Sequence, residues 1–194
     1  MSLADLISKI TGVICVPDRL AHPSGAVTLD LTGYSQVDDF SCGAVAGWAV
    51  VEAFDARRGF RRFYERCGST LARGTSTPRL ARALSESGVG VKHLRHRISF
   101  ARLCRAIDDG FPVICSVDHD KRDDSAHWLV IYGYQTRPAR LFAAGNGWMY
   151  LFGASLFGEH VIPRRMFERM RLTGALICWG KGRAGKIRGL TKRA

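Results

Sequence analysis

The residues with the most chemistry to offer stand together at Gln36-Val37-Asp38-Asp39-Phe40-Ser41-Cys42-Gly43, where a turn-rich stretch gives way to an apolar run. A thiol at a helix N-terminus feels the positive end of the macrodipole and the free N–H groups of the first turn, which favours the nucleophilic thiolate. Gln36 lies six residues upstream of Cys42. From there its side-chain amide has the reach to join the Cys42 backbone N–H around an oxyanion. Gly43 lets a substrate backbone come close. Cys-Gly alone fits a buried structural cysteine better than a nucleophile; the glutamine six residues before it moves the reading towards a nucleophile. A thiolate needs a base, and His127 suits the role, at the junction of a polar loop and the apolar run Trp128-Leu129-Val130-Ile131-Tyr132. The other histidines suit it less. His22 and His160 fall in turn-rich surroundings, and His119 sits among Asp118, Asp120, Asp123 and Asp124. His93 and His96 have helical i, i+3 spacing, but Lys92, Arg95 and Arg97 beside them read as a solvated basic face rather than a metal site. Asn146, 19 residues beyond His127, can return beside it and orient the ring, although Asn146-Gly147 is also a common hairpin turn. Cys, His and Asn in these roles make a nucleophile–base–orienter set. Trp148 would cover the His–Asn hydrogen bond. Asp38, Asp39 and the acidic run 118–124 would give the cleft a negative mouth favouring basic substrates, or are simply solvated loop charges. Gly43, Asp39 and Trp148 are therefore the expected substrate contacts, with no metal and no cofactor.

These groups need a scaffold. Leu3, Leu6, Ile7 and Ile10 have helical spacing, and residues 16–35 are turn-rich around a short strand at 26–31. A helix is expected from Cys42 to about Ala56, with Ser41 as its N-cap. A break at Gly59 and a basic helix through Arg66 follow. The next helix starts at Thr77-Pro78, with Thr77 as cap and Pro at the first helical position, and Gly88 and Gly90 stop it. Another runs from a Ser99 cap to Gly110. Beyond Gly110 the period changes: 112–117 and 128–132 are β-branched runs, and 140–144, 148–152 and 175–179 are weaker strand candidates. Helices before strands predict an α+β fold with a largely antiparallel sheet, in which the first two strands are neighbours joined by an acidic loop.

Taken in order, these motifs resemble the papain-like cysteine peptidases of the bacteriocin-processing, double-glycine-leader type, over most of residues 34–170. Gln36…Ser41-Cys42-Gly43 is similar to that family's oxyanion glutamine and nucleophile. Thr75-Ser76-Thr77-Pro78 with Leu80–Leu84 resembles its Thr-Ser-Pro helix start. Ser99…Leu103…Ile107-Asp108-Asp109-Gly110-Phe111-Pro112-Val113-Ile114 resembles its helix, Gly-x-Pro-Val and central strand. His127 to Tyr134 is similar to its histidine strand, and Ile162-Pro163…Phe167 to its closing helix. Relatives commonly carry Asp-Pro where this chain has Asn146-Gly147, which makes the orienting residue the point of departure. The resemblance implies a papain-like peptidase fold, with the nucleophile helix packed on an antiparallel sheet that carries His and Asn. It also implies a peptide or protein substrate. With no transporter segment in the sequence, it points to a stand-alone domain.

The composition of 194 residues, 46% hydrophobic and 24% charged, is that of an ordinary globular chain and excludes collagenous or disordered classes. The expected organisation is an N-terminal helix and arm over 1–33, a catalytic domain over 34–179 and a flexible basic tail over 180–194. Of the net charge of +12, six units lie in that tail. Its glycines and few apolar residues predict mobility and a weak affinity for polyanions. The six cysteines contain no CxxC and lie mostly in apolar stretches, as expected of reduced thiols. With no signal peptide and no spanning segment, a cytoplasmic location is expected. The sequence leaves open whether the site hydrolyses, deamidates or transfers an acyl group. It also leaves open a non-catalytic module or basic adaptor built on Arg57, Arg58, Arg61, Arg62 and Arg66. Oligomeric state is not legible.

Overall fold

The twelve residues after Ser41 carry almost nothing polar, and they form a helix that is buried nearly all round. This is α1, Cys42–Ala53, in the computed structural model, which describes residues 13–15, 22–36, 40–55, 59–95, 98–118, 126–145, 159–181, 185–187 and 191–192. A helix apolar on every face needs cover on every face. The sheet covers one side, and α2 (Phe60–Cys67) and α3 (Thr77–Glu86) cover the other. Phe63 and Leu80 close over Gly47 so tightly that no side chain would fit there. Ser41 occupies the N-cap position as expected, but its side chain makes no capping hydrogen bond. In α3 the cap falls one residue earlier than expected: Ser76 is the N-cap, and Thr77 is already helical with Pro78 behind it. At α4 (Phe100–Asp108) the expected cap holds, with Ser99 Oγ accepting from the Arg102 N–H at 3.3 Å.

The main sheet runs β10-β2-β6-β5-β9-β4, with β7 on β6 and β8 on β7, and every pair is antiparallel. Its strands are β2 (Ala26–Thr28), β4 (Val89–Leu94), β5 (Val113–Asp118), β6 (Ala126–Thr136), β7 (Ala139–Ala144), β8 (Glu159–Pro163), β9 (Arg171–Gly180) and β10 (Thr191–Lys192). A two-stranded sheet pairs β1 (Val13–Cys15) with β3 (Tyr34–Gln36), and a short helix α5 (Arg164–Arg169) follows β8. The α+β architecture is the expected one, and β5 and β6 are neighbours as expected, with Val117 opposite His127.

Several expectations are corrected. Val13 and Ile14, the end of the helical stretch expected over 3–14, form a strand with Cys15 because all three pair with β3; the rest of that stretch lies outside the described residues. The strand at 26–31 stops at Thr28. His93 belongs to β4, not to a helix, and is exposed; His96 lies outside the described residues. His160 sits in β8, buried, rather than in a turn. The strand candidate at 148–152 lies outside the described residues. The basic segment does not run free where it is described. The Lys181 ammonium donates to the Ser85 carbonyl and hydroxyl, and Ile187 is buried with its N–H on the Gly110 carbonyl at 3.3 Å. Thr191 and Lys192 then pair with β2. Among the described residues no helix is long and apolar enough to cross a membrane.

Candidate active site

Cys42 is the first residue of α1 and is buried. His127 is the second residue of β6 and half-buried. Their chain neighbours are packed directly on one another. A Cβ placed on Gly43 would lie 2.9 Å from Trp128 Cδ1, and 2.6 and 2.8 Å from Thr75 Cβ and Oγ1. Trp128 cannot rotate away cheaply, because its indole N–H donates to the Thr75 carbonyl at 2.9 Å in a buried setting. Thr75 is held in turn by a 2.6 Å hydrogen bond between its hydroxyl and Ser69. Since consecutive Cα atoms are about 3.8 Å apart, the Gly43–Trp128 contact fixes the start of α1 beside the start of β6. Cys42 and His127 each stand one residue before the members of that contact. At Gly43 the missing side chain leaves room for Thr75 and Trp128.

Gln36 ends β3, opposite Val13. Two residues before it, the Tyr34 hydroxyl donates to the Glu52 carboxylate on α1, which ties the strand that ends at Gln36 to the helix that begins at Cys42. Asn146, Asp39 and Trp148 lie outside the described residues, but the residue before Asn146 does not. Gly145 is buried with φ +151°, and a Cβ there would lie 3.2 Å from Leu129 Cα and from the Trp128 carbonyl oxygen. Only glycine tolerates both that backbone and that approach. β7 therefore ends against the strand that carries His127, two residues along from it. His22, in the loop before β2, packs edge-on against the rings of Tyr132 and Phe142. Among the described residues no three His, Cys, Asp or Glu side chains are grouped as a metal site.

Four other thiols sit where burial favours the protonated form. Burial pushes the Cys67 and Cys115 thiols up to about 12, and burial with the nearby Asp108 charge pushes Cys104 up to about 11. Burial also raises Cys178. Two residues matter more than the sequence suggested. Thr75 was legible only as part of a helix start, yet it buttresses both Gly43 and Trp128. His160 gave no local signal, because its burial depends on β7 and β8 pairing.

No family model and no curated protein matches the chain in sequence. Solved structures do match. A double-glycine-motif protease from an AMS/PCAT transporter, in complex with its leader peptide, superposes with a TM-score of 0.59 at 18% identity, covering 78% of this chain and 92% of that one. The peptidase domain of Streptococcus ComA, a bifunctional ABC transporter of a quorum-sensing pathway, superposes at 0.57 with 16% identity, covering 81% and 99%. The fold is that of the double-glycine-motif peptidase domains. The peptidase fold thus spans about four-fifths of the chain, and the resemblance read from the ordered motifs holds at the level of architecture.

Proposed function

We propose that the protein is a cysteine peptidase that acts on a peptide or protein through a Cys42–His127–Asn146 set, with Gln36 completing the oxyanion site. The observation that supports this reading is the Gly43–Trp128 contact, which packs the first turn of α1 against the start of β6 inside the peptidase fold. In the reaction, the Cys42 thiolate attacks the carbonyl carbon, and the oxyanion accepts from the Cys42 N–H and the Gln36 amide. The His127 imidazolium gives its proton to the leaving amine. The neutral ring then takes a proton from water, whose hydroxide opens the thioester, releasing the acid and restoring the Cys42 thiolate beside the His127 imidazolium. Asn146 holds the ring. A peptide substrate is supported by the leader peptide bound to the transporter protease, a property of that protein. Hydrolysis of a side-chain amide, or transfer to an amine, would use the same acyl-enzyme. The basic-adaptor alternative loses ground because Arg61 and Arg66 are paired with Glu65 and Glu86.

The test is iodoacetamide labelling of the intact chain across pH, together with cleavage of a peptide library by wild type and Cys42→Ala. Cys42 is expected to react at lower pH than Cys67, Cys104, Cys115 and Cys178, and Cys42→Ala to abolish cleavage. Uniform labelling, or full cleavage by the variant, would overturn the proposal.

A further inference from the structure

β4 closes one side of the main sheet, and no other described strand pairs with its outer edge. An unpaired edge offers a row of N–H and C=O groups to any chain that lies beside it. Which groups face outward follows from the hydrogen bonds of β9 and the residue after it. The Lys181 N–H donates to the Gly88 carbonyl at 2.9 Å, whereas the Cys178 N–H turns the other way, to the Pro112 carbonyl at 3.0 Å. Backbone groups alternate in direction along an antiparallel strand, so those of Gly90, Lys92 and Leu94 face their β9 partners Trp179, Ile177 and Ala175. The N–H and C=O of Val91 and His93 face the open side.

Proteins blunt such edges by shortness, proline, bulges or charge. The opposite end of the sheet, β10, has two residues, and β8 ends in Pro163. β4 has six residues and no proline, and the nearest bulge lies inside the sheet, between β5 and β9. Charge alone guards it. Gly88 to Ile98 contains Lys92, Arg95 and Arg97 with two histidines and no acid. Lys92, His93 and Arg95 are exposed. Pairing β4 with the β4 of a second copy would bring these cations together across the seam, which disfavours that occupant. The same cations favour an acidic strand. The face shared by Gly90, Lys92 and Leu94 adds a pattern. The Trp179 indole lies across Gly90, where a Cβ would collide with it, and Leu94 is half-buried. A strand laid alongside therefore meets an aromatic ring, an ammonium and an isobutyl group at alternate positions.

We propose that the outer edge of β4 is a docking site for an extended acidic segment of a partner protein, which adds as a further strand through the N–H and C=O of Val91 and His93. One face of that segment carries an apolar side chain beside Gly90 and Trp179, a carboxylate beside Lys92 and a second apolar side chain beside Leu94. β9 and β5 lie between β4 and the strand of His127, so the surface is separate from the candidate active site. The inference does not depend on the catalytic reading.

The test titrates the isotope-labelled full chain with the peptide Glu-Val-Thr-Glu-Thr-Val-Glu, whose symmetric pattern presents the same contacts in either direction. The same peptide with lysine for every glutamate is the control. The acidic peptide is expected to bind, to shift the amide signals of Val91 and His93, and to bind more weakly as salt is added. Lys92→Glu should weaken binding about fivefold, since an opposite-charge pair becomes a like-charge one. His93→Pro should abolish binding with the fold intact, because proline there removes an outward N–H and no bond to β9. If His93→Pro does not fold, Val91→Pro replaces it, and if neither folds, Lys92→Glu and the amide shifts decide. No binding of the acidic peptide, equal binding of the lysine peptide, or amide shifts confined to other strands would overturn the proposal. So would undiminished binding in a folded proline variant, which would mark a polyanion surface without strand addition. A dimer with the Val91 and His93 amides protected from exchange would also overturn it, by giving the edge to a second copy.

Discussion

Replacing Gly43 by alanine sets two effects against each other, and the structure decides which wins. Gly43 is the second residue of α1, so helix propensity alone favours alanine by about 1 kcal/mol. Against this, the new methyl would start 2.6 Å from Thr75 Cβ, 2.8 Å from Thr75 Oγ1 and 2.9 Å from Trp128 Cδ1. Ordinary contact begins near 3.4 Å, so something must move by about 0.8 Å. Neither neighbour yields easily, since Thr75 is held by Ser69 and Trp128 by the Thr75 carbonyl. Overpacking of a well-filled site costs about 1–3 kcal/mol, and two anchored neighbours place this one near the top of that range. The net expectation is a destabilisation of about 1–2 kcal/mol. The movement also separates the start of α1 from the start of β6, and misplacement of reacting groups by about 1 Å costs on the order of 10²-fold in rate. Urea unfolding gives the first quantity. Peptide cleavage, measured well below the unfolding transition, gives the second. A Gly43→Ala variant as stable as wild type, with undiminished cleavage, would refute the reasoning, because it would show that the Gly43–Trp128 contact does not hold the site together.

The C-terminal segment is expected to stabilise the body. Ile187→Ala should cost about 2 kcal/mol or more in urea unfolding, as for other buried aliphatic truncations, whereas an effect under about 0.5 kcal/mol would show that the segment is not packed. His160 makes stability pH-dependent in a defined direction. Burial, opposed by the hydrogen bond to Gly145, lowers its pKa below the ordinary 6.5, so the unfolded chain binds its proton first. Its contribution is fully present above pH 6.5 and is lost as the pH falls through the lower folded value. Unfolding of wild type and His160→Gln between pH 7.5 and 4.5 should therefore converge on the acid side, and parallel pH profiles would rule this out.

The difference between what was legible and what was not follows the range of the interactions. α4 was readable to its cap because Ser99 and the Arg102 N–H are three residues apart. α1 was readable because the run from Cys42 to Val51 is apolar on every face. β4 was not. Val89-Gly90-Val91-Lys92-His93-Leu94 carries a glycine, two basic residues and a stop signal, and it is a strand because β9 pairs with it along its whole length. Gly90 there faces the indole of Trp179, with no room for a side chain. The basic segment misled for the same reason. Its own composition offers too little apolar surface to order it, but Gly110 and β2 supply the partners for Ile187 and Thr191.

The sequence by itself determined the candidate chemistry: a cysteine at a helix start, a glutamine six residues before it, a histidine opening a strand and an asparagine beyond it. These were legible because residue type and local spacing set reactivity and helix or strand preference. Only the tertiary structure decided what holds that chemistry in place. Thr75, distant in sequence from both Gly43 and Trp128, locks α1 to β6. His160 reaches back to Gly145 across the β7–β8 pair. Both depend on contacts between residues far apart in the chain, whose closeness arises only when the strands pair and the buried surfaces meet.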